Sequence, residues 1–362
     1  MNAPKIVRQN ENVRVVVRTP AELFEEGKDD KGKYVGGKWG GLYLRAPDIY
    51  FRILEKAGDK LVRLRDVAVV NEGKPTGAND FFFVSKEQAA RWGIEPFFLQ
   101  EGVMKTKGFA RYEIRTEYLD RFFLAVDRSR KELVGTNALL YIEHGEARGL
   151  HKRKTFKGKP EWFRVKRRKP SDLICPCGIG DTFFCAMNSA EAISSNSYAE
   201  IRVNFREHLV PIWASLNSAF GWLGIEIVGR SSLGGGMLKV DPIEYRQLAV
   251  PKPELFSGCT RTAKNIYEKL KDLEVKNAFE ELGFPLCRNR RCPHLEHPYE
   301  HVHPEELTLE QVQKASPDRF ELDRVVFDVL GLTDEERLEV YRAVARLVKD
   351  RLTKARSNTN GG

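Results

Sequence analysis

Short apolar runs predict a strand-rich first two thirds of the chain. The run at residues 13–17 predicts a strand, and Thr19-Pro20 after it predicts a helix start, because proline is tolerated in a first helical turn. Further short runs are separated by Gly, Pro, Asn and Asp, which favour turns. They predict strands at residues 64–70, 81–84, 111–115, 121–126 and 138–143.

The apolar period becomes helical in the later part of the chain. Residues 205–223 and most of the chain from Thr260 onward have the spacing of amphipathic helices. Gly331 is a predicted helix stop, and Thr333 with Glu336 forms a predicted capping box for the last helix. The apolar stripe of that helix is Leu338, Tyr341, Val344, Val348 and Leu352.

These patterns predict an α+β protein in three parts. Residues 1–60 form an N-terminal segment, residues 61–255 a strand-rich domain, and residues 256–362 a helical C-terminal region with a Cys/His-rich insert. No apolar run approaches the roughly 20 residues of a membrane helix, and the first residues lack a signal-peptide core. We therefore expect a cytoplasmic protein with no membrane partner.

Positive charge is concentrated in one segment. The chain has a net charge of +9, whereas residues 148–169 contain eleven Lys and Arg against one acid, Glu161, which is +10. Such a local field predicts contact with a phosphate backbone, and a solvated charged loop is the alternative. The residues expected to hold phosphates are Lys152, Arg153, Lys154, Lys166, Arg167, Arg168 and Lys169, with Lys105 and Lys107 outside the segment. Trp162 could stack on the nucleic acid or anchor the segment.

A second candidate for nucleic-acid contact is the run at residues 72–83. Two glycines flank Thr76, and Asn79 precedes an aromatic run. Glycines let a backbone approach a ligand closely, while Lys74, Thr76 and Asn79 can bond phosphate or base. A turn leading into a strand explains the same residues equally well.

Two cysteine-containing segments suggest other chemistry. Residues 175–183 mimic a loop that cradles S-adenosylmethionine, although a Gly-x-Gly is a weak signal and a hairpin turn with glycines at positive φ is the alternative. Cys287, Cys292, His294 and His297 supply enough ligands for a tetrahedral zinc site. Their spacing matches no standard zinc finger closely, so a surface loop with incidental histidines stays open.

Several segments, taken in order, resemble the C-terminal target-recognition portion of TaqI-like adenine-N6 DNA methyltransferases of restriction-modification systems. The matching pieces are residues 43–48, 73–83, 92–96, 162–163, 216–218 and 229–236. The resemblance implies a module that binds double-stranded DNA and selects the target sequence beside a methyltransferase catalytic domain. The target adenine would be flipped into the pocket of that domain.

The resemblance also suggests roles for a further set of residues. Arg230, with Thr76 and Asn79, would lie near base edges or the flipped nucleotide, and Gly234, Gly235 and Gly236 would allow close approach.

The chain departs from the whole enzyme in one respect. N6-adenine transfer needs an Asn/Asp-Pro-Pro-aromatic tetrapeptide, and this sequence contains no Pro-Pro pair. We therefore expect no catalytic residue in this chain, and expect the catalytic domain, with its S-adenosylmethionine, upstream. The alternatives are a stand-alone S-adenosylmethionine- or metal-dependent DNA-modifying enzyme, and a structural subunit that docks onto a methyltransferase.

Overall fold

Two hydrophobic cores organise the chain in a computed structural model, which describes residues 5–9, 13–28, 32–34, 40–104, 109–231, 236–285 and 299–357. The strands are β1 (Lys5–Gln9), β2 (Arg14–Val17), β3 (Leu61–Arg63), β4 (Ala68–Glu72), β5 (Phe83–Ser85), β6 (Leu99–Val103), β7 (Glu113–Ile114), β8 (Arg121–Leu124), β9 (Leu173–Pro176), β10 (Gly178–Ile179), β11 (Ala186–Asn188), β12 (Ile193–Ser194), β13 (Tyr198–Val203), β14 (Leu238–Lys239) and β15 (Ala249–Pro251). The α-helices are α1 (Pro20–Glu26), α2 (Asp48–Ala57), α3 (Leu64–Val67), α4 (Asn79–Phe82), α5 (Lys86–Trp92), α6 (Asn137–Ala147), α7 (Leu209–Asn217), α8 (Ala219–Val228), α9 (Pro242–Tyr245), α10 (Thr260–Leu270), α11 (Ala278–Glu281), α12 (Leu309–Ala315), α13 (Pro317–Leu330) and α14 (Asp334–Ser357).

The larger core contains a five-stranded central sheet with the strand order β4-β13-β9-β11-β7. Its pairs are antiparallel except β11 with β7, and β13 pairs with both β4 and β9. Helices α7 and α8 and the C-terminal helices contribute to the same core, which includes the fully buried Trp213 and Tyr245. Most apolar side chains of residues 46–70 are buried in this core as well, whereas Val69 is exposed. The boundaries at residues 60 and 255 stay a prediction.

The smaller core lies in the chain between β4 and β9. A four-stranded sheet of order β12-β6-β8-β5 and helices α4, α5 and α6 surround an aromatic cluster from residues 78–165, joined by Ile193. The chain leaves the central sheet at Glu72, returns to it briefly as the edge strand β7, and re-enters it at Leu173. Strands β4 and β9 both pair with β13. The smaller core is therefore built mainly from two excursions of the chain away from the central sheet, one before and one after β7. The basic residues 148–169 form the end of the second excursion.

The structure confirms the α+β class and several helix boundaries. Thr19 closes a capping box with Glu22, and Thr333 does the same with Glu336, each through hydrogen bonds in both directions. Gly331 ends α13 in the left-handed conformation, with φ of 75°. No helix among the described residues is both long enough and apolar enough to cross a bilayer.

The predicted strand at residues 138–143 is wrong. This segment lies in α6, which Thr136 caps by accepting a hydrogen bond from the Leu139 amide. The buried residues are Ala138, Tyr141, Ile142 and Gly145, and this spacing of three and four residues is that of one helix face. The predicted helix at 205–223 divides at Ser218, whose extended backbone starts α8.

A buried ion pair ties the last helix to the rest of the larger core. Arg351 of α14 pairs with Glu226 of α8 at 2.7 Å, and their side chains are 3% and 1% exposed. Arg351 also donates to the carbonyl oxygens of Gly236 and Gly180, so α14 is bonded to two loops as well as to α8. Arg45 lies nearby and donates to the Ile227 and Gly229 carbonyls.

Replacing Arg351 by methionine tests this tie. We expect Arg351→Met to lower the free energy of unfolding by about 3 kcal/mol, because it leaves Glu226 buried without its partner. Arg45 stays close enough to interact with Glu226, which keeps the loss from being larger. Urea unfolding followed by circular dichroism measures the change.

Arg346→Met, at an exposed position on α14, is the control and should shift the free energy of unfolding by less than about 0.5 kcal/mol. Equal effects of the two changes would contradict the role of the pair.

Candidate nucleic-acid interface

The basic segment, residues 148–169, is anchored by its apolar residues. It begins with two 3-10 turns, Leu150–Lys152 and Lys154–Phe156, and its apolar side chains enter the smaller core. Trp162 is 4% exposed, its ring lies 4.9 Å from that of Phe81, and its Nε1 donates to Glu146. Of the two roles predicted for Trp162, the structure supports the anchor. Its inclusion among DNA-contacting residues is corrected, because the ring has no free face to stack on a base.

The cations of the basic segment face outward, and most lack an acidic partner. Arg164 pairs with Glu161 at 3.0 Å and Arg168 with Glu200 at 3.0 Å. The other nine cations are exposed, and none forms an ion pair with a carboxylate of the described residues. They are Arg148, Lys152, Arg153, Lys154, Lys157, Lys159, Lys166, Arg167 and Lys169. A rigid surface therefore presents many like charges that an external anion would stabilise.

The glycine loop, residues 73–79, packs against the basic segment. Gly77 has φ of 75°, and a Cβ built on it would lie 2.8 Å from Oγ1 of Thr155. Arg153 Nη1 donates to the Gly77 carbonyl at 3.0 Å. The fold thus joins two features that lie some 75 residues apart in the sequence. Gly77 therefore permits a close approach to Thr155 of the same chain and not to a ligand.

Thr76 and Asn79 bond within the protein. Thr76 Oγ1 donates to Asn79 Oδ1 at 2.6 Å and accepts from the Ala78 amide. Asn79 Nδ2 donates to Asn196 Oδ1 at 3.1 Å, which joins the glycine loop to the turn before β13. The prediction that these side chains approach base edges is corrected for Thr76, because it is buried and its hydroxyl is engaged. The side-chain amide of Asn79 holds the glycine loop in place through its hydrogen bond to Asn196.

Lys74 is the member of the glycine loop that suits an anion. It is half-buried, and no described carboxylate forms an ion pair with it. Burial lowers the pKa of Lys74, and the nearby charges of Arg168 and Lys159 lower it further. Three cations from two segments therefore lie near one another, and a phosphate bound among them would favour the charged form of Lys74.

Glu200 positions Arg168, and the sequence analysis missed it. Glu200 lies in the middle of β13 and is 2% exposed, with Oε2 accepting from Arg168 and Oε1 from the Ser194 hydroxyl at 3.0 Å. The Gln100 side chain bonds the Arg168 amide and carbonyl, both at 2.9 Å. A glutamate within an apolar strand was the available signal, since buried carboxylates are rare unless paired.

Arg230 and Gly236 both have structural partners, and Gly236 is buried whereas the Arg230 side chain is 41% exposed. Arg230 pairs with Asp241, and its Nε lies 3.6 Å from Glu244. A Cβ on Gly236 would lie 2.9 Å from Leu352 of the last helix. The close approach at Gly236 is to the last helix and not to a ligand, whereas the place of Arg230 near the DNA stays a prediction. Gly234, Gly235, Lys105 and Lys107 lie outside the described residues.

The segment at residues 175–183 does not fit an S-adenosylmethionine cradle. Cys175 and Cys177 are buried, and burial raises the pKa of Cys177 to about 12. The carbonyls of Ile179 and Gly180 accept from Arg351 at 3.4 and 2.8 Å. The alternative hairpin is also wrong, since β10 pairs with β14 and neither Gly178 nor Gly180 has a positive φ.

The predicted zinc ligands Cys287, Cys292, His294 and His297 lie outside the described residues. Within the residues that are described, no three His, Cys, Asp or Glu side chains are grouped so that they could hold a metal ion.

Alanine at Gly77 tests the contact between the glycine loop and the basic segment. Gly149 has the same φ of 75° but open space around it, so it separates backbone strain from crowding. We expect Gly149→Ala to cost about 1 kcal/mol of unfolding free energy from strain alone. Gly77→Ala should cost about 2–3 kcal/mol, because its methyl group meets Thr155. Chemical unfolding of both variants gives these values, and equal losses would mean that the contact is not tight.

Comparisons with known proteins place the chain in a family. It is similar to the type IIG restriction endonuclease BpuSI, with a TM-score of 0.46 and 12% identity over 78% of this chain and 33% of that chain. It is also similar to the type IIL restriction-modification enzyme MmeI, solved in complex with DNA, with a TM-score of 0.46 and 14% identity over 81% of this chain and 36% of that chain. The chain thus spans about a third of the length of these two proteins. No curated protein matches it.

The family assignment rests on a match along more than half of the sequence. Residues 36–283 match the family model described as the C-terminal domain of the type II methyltransferase M.Eco57I. This confirms the predicted resemblance to the C-terminal portion of a restriction-modification DNA methyltransferase. The chain belongs to the family of the type II methyltransferase M.Eco57I C-terminal domain.

Proposed function

We propose that this chain is the DNA target-recognition module of an adenine-specific DNA methyltransferase of a restriction-modification system. Its partners would be double-stranded DNA and a methyltransferase catalytic domain or subunit. The observation that carries the proposal is the basic segment, with nine exposed cations that have no described carboxylate partner. Because the chain belongs to a family of methyltransferase C-terminal domains, DNA is the phosphate polymer that we propose for this surface.

The chain would grip the backbone of the duplex and leave the chemistry to its partner. Phosphate contacts fix the register of a protein on DNA, while base contacts select the sequence. The best phosphate site is formed by Lys74, Lys159 and Arg168, whose positive charges lie near one another. No described carboxylate forms an ion pair with Lys74 or Lys159. Glu200 is a positioning residue, because it holds Arg168 without facing the solvent.

The methyl group would be supplied by S-adenosylmethionine bound in the catalytic domain. The target adenine would leave the duplex to reach that domain, which costs unstacking energy. Contacts of this chain with the flanking backbone would offset that cost and orient the distorted DNA. No residue described here is assigned to methyl transfer.

A fourfold charge change tests the phosphate contacts. The variant Lys157→Gln, Lys159→Gln, Lys166→Gln and Lys169→Gln should bind duplex DNA more weakly and with less salt dependence. Each lost phosphate contact reduces the slope of log affinity against log salt by about 0.9. Fluorescence anisotropy with a labelled duplex across a salt series measures the slope.

The matched control removes the same net charge far from the basic segment. Lys264, Lys314, Arg324 and Arg346 are exposed and form no ion pair within the described structure. Changing all four to glutamine should leave the slope within experimental error of the unchanged protein. Equal slopes for the two fourfold variants would contradict the proposed interface.

Removing the charge of Glu200 separates positioning from net charge. If only net charge mattered, Glu200→Gln would strengthen DNA binding, because it removes a negative charge. We expect about tenfold weaker binding, or about 1.4 kcal/mol, because Arg168 loses its anchor. Glu161→Gln removes a more exposed acid of the same segment and frees Arg164, so it should bind DNA at least as tightly. Tighter binding by Glu200→Gln would exclude the positioning role.

A further inference from the structure

Glu191 has an unusual backbone conformation. Among the described residues it is the one non-glycine with positive φ, at 51°. The left-handed region is unfavourable for a residue with a Cβ, and glycine or asparagine occupies it more easily. A turn alone would not need a glutamate here. Strained residues persist where the surrounding structure holds them, and they cluster at functional sites.

Asn188 imposes this conformation. Its side chain accepts from the Ala192 amide and donates to the Ser171 and Ala192 carbonyls, all at 2.9 Å. Asn188 and Ala192 are both buried, and the Glu191 amide donates to the Asn188 carbonyl. Three hydrogen bonds therefore close the turn and a fourth fixes Asn188 to Ser171, while the Glu191 side chain is exposed.

Glu191 lies in a groove beside the basic segment. The groove encloses about 580 Å³, and Glu191 lines it together with Arg167, Pro170, Phe122 and Lys86. Arg167 forms no ion pair with Glu191, and its Nη1 donates to the Phe97 and Leu99 carbonyls at 2.8 and 3.2 Å. Lys86 pairs with Glu101 at 3.3 Å. No ion pair with a described residue engages the Glu191 carboxylate.

We infer that Glu191 reads the exocyclic amino group of a cytosine in the recognised sequence. This inference rests on the proposed function. A carboxylate beside a phosphate-binding surface would repel the backbone, so its use there must be to accept hydrogen bonds. In the major groove, carboxylates accept from the N4 amino group of cytosine, whereas arginine and lysine serve guanine. The rigid turn would present the carboxylate with little loss of conformational entropy on binding.

Selection from duplexes with randomised positions tests the inference on the full chain. The unchanged protein should enrich a sequence with a conserved cytosine. Glu191→Gln should lose that preference by about tenfold or more at one position and keep the others, because glutamine is suited to adenine. Glu191→Gly should lose it as well, and should unfold at an equal or higher urea concentration because glycine tolerates this φ.

The controls separate failure of the inference from failure of the proposed function. Glu207→Gln makes the same change of net charge at another exposed acid and should enrich the unchanged sequence. If both Glu191 variants enrich the sequence of the unchanged protein, the reading role is overturned while the recognition module stands. If the unchanged protein enriches no sequence, both proposals are overturned.

Discussion

The ion pair between the half-buried Arg168 and the buried Glu200 links the basic surface to the rest of the molecule. Glu200 lies on β13, which pairs with both β4 and β9, so its position is fixed by the central sheet. The Glu200 carboxylate is 2% exposed, and leaving it without a partner would lower the free energy of unfolding by several kcal/mol. Arg168 is therefore held where its guanidinium reaches Glu200. Gln100 of the smaller sheet bonds the same arginine. Both sheets and the basic segment therefore meet at one residue.

The basic segment combines two requirements that a phosphate-binding surface must meet. Its apolar residues, including Phe156 and Trp162, are buried in an aromatic cluster, while the unpaired cations between them stay in the solvent. Burial supplies the energy that holds like charges near one another, and rigidity reduces the entropy lost on binding. The glycine loop adds Lys74 to this surface because Gly77 can approach Thr155 closely.

Several residue types typical of DNA contact serve the fold instead. Thr76 and Asn79 close a loop, and Gly236 makes room for Leu352. The same polar and small side chains that suit phosphates and bases also suit caps, turns and close helix contacts. The types of these residues could be read from the sequence. Their roles could not be predicted, because the residues that they contact lie in other elements.

The sequence by itself determined what depends on neighbouring residues: the α+β class, the cap of the last helix, the concentration of charge at residues 148–169 and the family resemblance. Tertiary structure decided what depends on distant partners. The segment at 138–143 became a helix because its buried face packs in the smaller core. Lys74 lies near Arg168 because β4, which ends shortly before Lys74, pairs with β13, which carries the Arg168 partner Glu200. Glu191 acquired its conformation from Asn188 and Ser171. Local patterns encode propensity and charge, whereas burial and pairing arise only when the folded chain brings remote segments together.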